Sequence, residues 1–181
     1  MMSKQLVTLS KFLSLILRHQ PERIGLQLDA NGWADIQELL RLVQTADVKM
    51  DEQTLYEVVA TSDKKRFAIS ADGRFIRANQ GHSLAIELAL EAQTPVDILF
   101  HGTAARFLQA IMSVGLTKMN RHHVHLTENA ETAGSVGKRY GQPVLLQIDA
   151  LAMHQSGRVF FRTENDVWLV DAVPPEFITV V

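Results

Sequence analysis

The spacing of apolar positions changes along this chain, and each change predicts a different kind of element. From residue 4 to 19, Leu6, Leu9, Leu13, Ile16 and Leu17 recur at intervals of three and four, and Pro21 follows. That is the pattern of an amphipathic helix with a stop signal. Arg18 and His19 fall on its last turn, where cations also suit the negative end of the helix dipole. Asn31-Gly32 reads as a turn, and Asp35 with Glu38 has capping-box spacing ahead of a second helix, Ile36 to Val43. Asp51 can cap a third, running through Leu55, Val58 and Val59. The period then becomes two: residues 66–70 and 75–78 flank the turn Ala71-Asp72-Gly73-Arg74 and predict a hairpin. Three short helices followed by a hairpin is the winged-helix pattern. That fold serves nucleic-acid binding and protein interaction alike.

Beyond Gln80-Gly81-His82-Ser83 the pattern changes character. Residues 85–90 alternate, which predicts a strand, with a helix as the competing reading. Gln93-Thr94-Pro95 breaks it. Ile98-Leu99-Phe100 is a short buried strand expected to deliver His101-Gly102-Thr103 at its end. Residues 104–114 have helical spacing, and Gly115 is a good stop. Val124 and Leu126 alternate with His123, His125 and Thr127, so this strand carries His123 and His125 on one face. Residues 132–140 suit a short helix with Lys138 and Arg139 near its end, and 144–148 a strand. Residues 158–162 and 167–170 form a hairpin around Glu164-Asn165-Asp166, and Pro174-Pro175 precedes a last strand, 177–181. The expectation is an α+β protein: a helical lobe with a hairpin over residues 1–83, then a β-rich lobe over 84–181.

Composition narrows the function. With 20 acidic and 18 basic residues the net charge is −2, which argues against bulk attraction to nucleic acid. A local basic cluster does exist: Lys64-Lys65-Arg66, with Arg74 and Arg77, in and just before the predicted hairpin. It could meet a phosphate backbone or simply be a solvated face. No segment is long or apolar enough to span a bilayer, and residues 6–17 do not form a signal peptide. Without cysteine there is neither a disulfide framework nor a thiolate metal site. A cytoplasmic monomer is expected.

The candidate chemistry concentrates between Ile98 and Asp149, which holds four of the seven histidines together with Arg121, Lys138 and Arg139. His101 and His123-x-His125 could ligate a metal, but the neighbouring cations would repel it, so no metal is expected. There is no clear carboxylate pair, no serine nucleophile elbow, no glycine-rich dinucleotide fingerprint and no phosphate loop. What remains is a cation-rich, carboxylate-poor set suited to a polyanion. His-Gly-Thr would place an imidazole beside an unobstructed backbone. A flat amide-bearing ring could pair there while the imidazole holds a ribose hydroxyl.

Taken together, several short stretches carry a resemblance. They run Leu17-Arg18-His19, Lys65-Arg66-Phe67, Ile76-Arg77-Ala78-Asn79-Gln80-Gly81-His82-Ser83 and His101-Gly102-Thr103. Then come Arg121-x-His123-Val124-His125-Leu126, Val136-Gly137-Lys138-Arg139, Val167-Trp168-Leu169 and Val173-Pro174-Pro175. In that order the sequence resembles the NAD-dependent RNA 2′-phosphotransferases, which remove the splice-junction 2′-phosphate of tRNA. The resemblance covers nearly the whole chain. It implies a winged-helix RNA lobe, an ADP-ribosyltransferase-like lobe for NAD⁺, and partners limited to RNA with an internal 2′-phosphate and NAD⁺ itself, consumed as co-substrate.

The resemblance further implies roles. The catalytic set falls on Arg18, His19, Arg66 and Arg121, and the NAD⁺ site on His101, Gly102, Thr103, His125, Ser135, Gly137 and Arg139. Val167 stands where many ADP-ribosyltransferases carry a glutamate; a neutral residue avoids repelling an incoming phosphate. Thr127 and Tyr140 depart from the family's usual serine and histidine, and Tyr140 bears on phosphate contacts near Arg139. Phe12, Trp33 and Trp168 are expected in cores rather than as base-stacking surfaces. Two other functions remain open at this point. One is an ADP-ribosyltransferase that stops before the second step, acting on terminal phosphates or protein. The other is a non-catalytic winged-helix binding protein.

Overall fold

A computed structural model describes residues 3–62 and 64–181, a mixed α/β chain with small antiparallel sheets and six α-helices among the described residues. It divides into two compact units, the first ending at Ala89 and the second spanning Leu90–Val181.

In the first unit, helix α1 (Lys4–Arg18) begins where Ser3 accepts the Leu6 N–H, and it buries Leu6, Leu9, Leu13, Ile16 and Leu17. A 3₁₀ turn, Pro21–Ile24, ends at Gly25 with φ 72°. Strand β1 (Ala34–Asp35) leads into α2 (Ile36–Thr45), whose Asp35 cap accepts the Glu38 N–H. The reciprocal half of a capping box is absent, because the Glu38 carboxylate pairs with Arg41 instead. Helix α3 (Glu52–Ala60) is capped by Asp51. Strands β2 (Phe67–Ile69) and β3 (Phe75–Ala78) form the hairpin, turned by Asp72, which accepts from Ser70 Oγ and the Arg74 N–H. Two-residue β1 joins them, giving the order β1-β3-β2 with every pairing antiparallel. The helices and sheet enclose one apolar core that includes Leu13, Ile36, Leu39, Leu55 and Ile76.

Residues 85–90 are not a strand. Side-chain burial does alternate, with Ile86, Leu88 and Leu90 half-buried between exposed neighbours, yet the segment pairs with no strand. Its backbone donates twice, Ile86 N–H to the Leu84 carbonyl and Glu87 N–H to the Ala30 carbonyl, and φ at Ala89 is 51°. The alternation records a segment laid over a surface, which needs no ladder. Trp33, expected in a core, is half-buried, with the Arg77 guanidinium 4.5 Å from its ring centroid.

In the second unit, β4 (Ile98–Ala104) passes into α4 (Ala105–Val114), β5 (Leu116–Thr117), β6 (Val124–Leu126) and α5 (Ala130–Gly137). A 3₁₀ turn (Lys138–Tyr140) precedes β7 (Pro143–Asp149) and α6 (Ala150–Gln155). The hairpin of β8 (Phe160–Arg162) and β9 (Trp168–Val170), then β10 (Ala172–Val173) and β11 (Ile178–Val180), complete it. The sheets read β11-β7-β4, β6-β9-β8 and β10-β5, all antiparallel. A single bridge, Phe100 to Thr127, links the first two. Their core holds Leu99, Leu126, Leu146, Phe160 and Trp168. His101-Gly102-Thr103 therefore lies inside β4 rather than at its end, because β4 stays paired with β7 as far as Ala104.

Candidate functional site

The second unit holds a notch between diverging strands. Phe100 exchanges backbone bonds with Thr127 at 2.7 and 3.0 Å, so its peptide groups point away from β7. Leu145, opposite Gly102, turns its carbonyl to the Val181 N–H on the far side of β7. Successive strand residues alternate, so the Gly102 N–H and C=O point to the same edge as those of Phe100. Continued past the Phe100–Thr127 bridge, the ladder would set Gly102 against His125. Instead the His125 carbonyl accepts a bond from the His101 imidazole, Nδ1 to O, at 3.0 Å. One donor and one acceptor of Gly102 are left facing the gap.

Partner chemistry fixes the state of both imidazoles. A carbonyl can only accept, so His101 carries its proton on Nδ1 and presents Nε2 as a lone pair. Burial first, and the Arg121 charge after it, hold the His101 pKa below its ordinary value, against the opposing pull of the His125 bond. Arg121 Nη1 lies 3.2 Å from His125 Nδ1. A guanidinium only donates, so that nitrogen is the acceptor. His101, Gly102, His125 and Arg121 thus come together in this unit.

Helix α5 backs the notch by close backbone contact. A Cβ on Gly102 would fall 1.6 Å from the Ala133 carbonyl oxygen, and one on Gly137 2.4 Å from that of Thr103. Both glycines are therefore required for packing, whatever else they touch. Thr103 is buried. Ser135 is exposed, its hydroxyl donating to the Thr132 carbonyl, and Arg139 is exposed on the 3₁₀ turn. His123, expected on the strand of His125, lies just ahead of β6 and packs edge-on against Phe161 with ring centroids 5.7 Å apart. Its pKa too is lowered, chiefly by burial. Sequence reading missed Glu128, whose carboxylate accepts from the Trp168 indole at 2.8 Å and lies near Arg162. Val167 gives its N–H to Thr163 Oγ1, inside the β8–β9 turn.

In the first unit, Arg18 is half-buried and His19 exposed at the end of α1. Ser83, given no role by the sequence reading, gathers them: its N–H donates to the Arg18 carbonyl, and its hydroxyl lies 2.9 Å from His19 Nδ1. Arg66 precedes β2, and its Nη1 donates to Ser62 Oγ at 3.3 Å. Among the described residues no group of three or more His, Asp or Glu side chains could hold a metal ion. No helix there is long and apolar enough to cross a membrane.

Basic and imidazole side chains thus occur in both units, Arg18, His19 and Arg66 in the first and His101, Arg121 and His125 in the second. A family model described as "RNA 2'-phosphotransferase, Tpt1 / KptA family" matches residues 4–172. The sequence is 51% identical over 180 residues to a probable RNA 2′-phosphotransferase of Acaryochloris marina, covering 99% of each chain. It is 52% identical over 179 residues to one of Hahella chejuensis, covering 99% of this chain and 96% of that one. A third, from Pseudomonas syringae pv. tomato, is 50% identical over 182 residues, covering 100% and 97%. The chain belongs to the RNA 2′-phosphotransferase family, a family of transferases.

Proposed function

We propose that this enzyme moves an internal RNA 2′-phosphate onto NAD⁺ in two steps. The observation that carries the reading is the notch at Gly102. Its N–H and C=O, turned to the edge away from β7, match the C=O and N–H₂ of a nicotinamide carboxamide, with His101 Nε2 beside it to accept from a ribose hydroxyl. His125, Thr103, Ser135, Gly137 and Arg139 complete the NAD⁺ site, with Arg139 offered to the pyrophosphate. On this reading the first unit is a winged-helix RNA lobe and the second an ADP-ribosyltransferase-like lobe.

In the first step a 2′-phosphate oxygen of the RNA bonds to the nicotinamide-bearing ribose carbon. The C–N bond breaks, and its electron pair leaves with neutral nicotinamide. In the second, the neighbouring 2″-hydroxyl of the RNA-2′-phospho-ADP-ribose intermediate bonds to phosphorus and the bond from phosphorus to the RNA 2′-oxygen breaks. The hydroxyl proton ends on that oxygen. The products are ADP-ribose 1″,2″-cyclic phosphate and RNA with a 2′-hydroxyl.

Arg18, His19 and Arg66 grip the 2′-phosphate, because guanidinium forks offset repulsion between that phosphate and the pyrophosphate. Arg121 stabilises the charge that builds on phosphorus in the second step, where a fixed cation lowers the transition state more than the ground state. Neutral Val167 leaves the path of the phosphate free of a competing anion. Nicotinamide release tests the reading. It should require RNA with an internal 2′-phosphate, and equal release with 2′-hydroxyl RNA would count against it.

A further inference from the structure

Arg66 is held by two buried polar side chains to which no role has been given. Lys65, just before it, has φ 39°, a left-handed conformation uncommon outside glycine. Asn79, which follows β3 and is only 5% exposed, grips this turn twice. Its Nδ2 donates to the Lys65 carbonyl at 2.7 Å, and its backbone N–H donates to the Arg66 carbonyl at 2.9 Å. From the other side, Ser62 Oγ accepts from the Arg66 N–H at 3.4 Å and from its Nη1 at 3.3 Å. The Ser62 carbonyl also takes the Lys65 N–H. Asn79 Oδ1 is buried without a partner among the described residues. An unpaired buried carbonyl is unfavourable, and a small apolar side chain would avoid it. The donor end of the amide is therefore what this position requires.

We propose that Asn79 and Ser62 are positioning residues that fix the direction of the Arg66 guanidinium toward the RNA 2′-phosphate. The inference rests on the role given to Arg66 above. Asn79→Asp keeps the size but sets an oxygen against the Lys65 carbonyl. Ser62→Ala removes the acceptor, and Ser62→Thr keeps it.

The test measures steady-state kinetics on NAD⁺ and an internally 2′-phosphorylated oligonucleotide, with amide hydrogen exchange at Arg66. Asn79→Asp and Ser62→Ala should each lower kcat/KM for the RNA on the order of 10- to 100-fold, the scale of a misplaced catalytic group, with KM for NAD⁺ unchanged. Both should speed Arg66 amide exchange, and Ser62→Thr should restore both readouts. In an Arg66→Lys background, Asn79→Asp should cost less than about twofold more, since residues acting through one group are not additive. A full further loss in that background, or unchanged Arg66 exchange in both variants, would overturn the proposal. Should the unmodified enzyme remove no 2′-phosphate, the proposed function falls. The exchange data then decide the clamp alone: slow exchange retained overturns it, and fast exchange supports it.

Discussion

The guanidinium of Arg121 rests against the imidazole of His125, Nη1 to Nδ1 at 3.2 Å, while the carbonyl of the same His125 takes the His101 proton. One residue thus sets both the reach of a cation and the tautomer of a neighbouring base. Replacing His125 by Phe keeps a ring and removes the acceptor. Turnover should fall on the order of 10-fold or more, because Arg121 loses its fixed position. His125→Asn, which can offer Oδ1 near the lost Nδ1, should recover part of the loss in the same rate assay.

The buried imidazole gives a pH dependence with a definite sign. Burial lowers the folded-state pKa of His101 below its ordinary 6.5, so below 6.5 the unfolded chain binds this proton and the folded one resists it. The contribution is fully present above 6.5 and is lost as pH falls from there through the folded value. His123 adds the same trend. Thermal melts from pH 7.5 down to about 5 should show a falling Tm, with a shallower slope in His101→Gln. An identical slope in that variant would remove His101 as a cause.

Two glycines of one region should answer differently to the same methyl group. Gly102→Ala puts a carbon into the Ala133 carbonyl, so strand and helix must separate; a loss of about 3 kcal/mol or more is expected in denaturant unfolding. Gly134, inside α5, has nothing within 4 Å of an added Cβ, and Gly134→Ala should stabilise the fold by about 0.5–1 kcal/mol.

Arg18→Ala and Arg66→Ala should abolish turnover with little change in Tm, since neither side chain belongs to the apolar core. Leu13→Ala, from the fully buried face of α1, should instead cost about 2–5 kcal/mol of stability. Normal turnover in either arginine variant would remove that residue from the mechanism.

The first unit was legible because its signals are local. Leucines at helical spacing, Asp35 and Asp51 as caps, and Asp72-Gly73 in a turn each act within a few residues. Strands of two residues, such as β1, β5 and β10, leave no period to read; they exist because a partner passes by. Helix α6 was missed for a similar reason, being six residues long with Asp149 as its only clear cap signal. Residues 85–90 misled because alternation encodes which side is covered, not whether a ladder forms. In the site, residue types were readable but their pairing was not. Nothing in the sequence says that His101 bonds to a backbone carbonyl, or that Ser83 and Asn79 brace the two arginines. Such polar contacts depend on chain segments well separated in sequence.

The fate of one phosphorus atom tests the proposed reaction most directly. An oligonucleotide carrying a ³²P-labelled internal 2′-phosphate, incubated with the enzyme and NAD⁺, should lose its label to ADP-ribose 1″,2″-cyclic phosphate, leaving a 2′-hydroxyl. Label released as inorganic phosphate without NAD⁺, or held permanently as an RNA–ADP-ribose adduct, would contradict it.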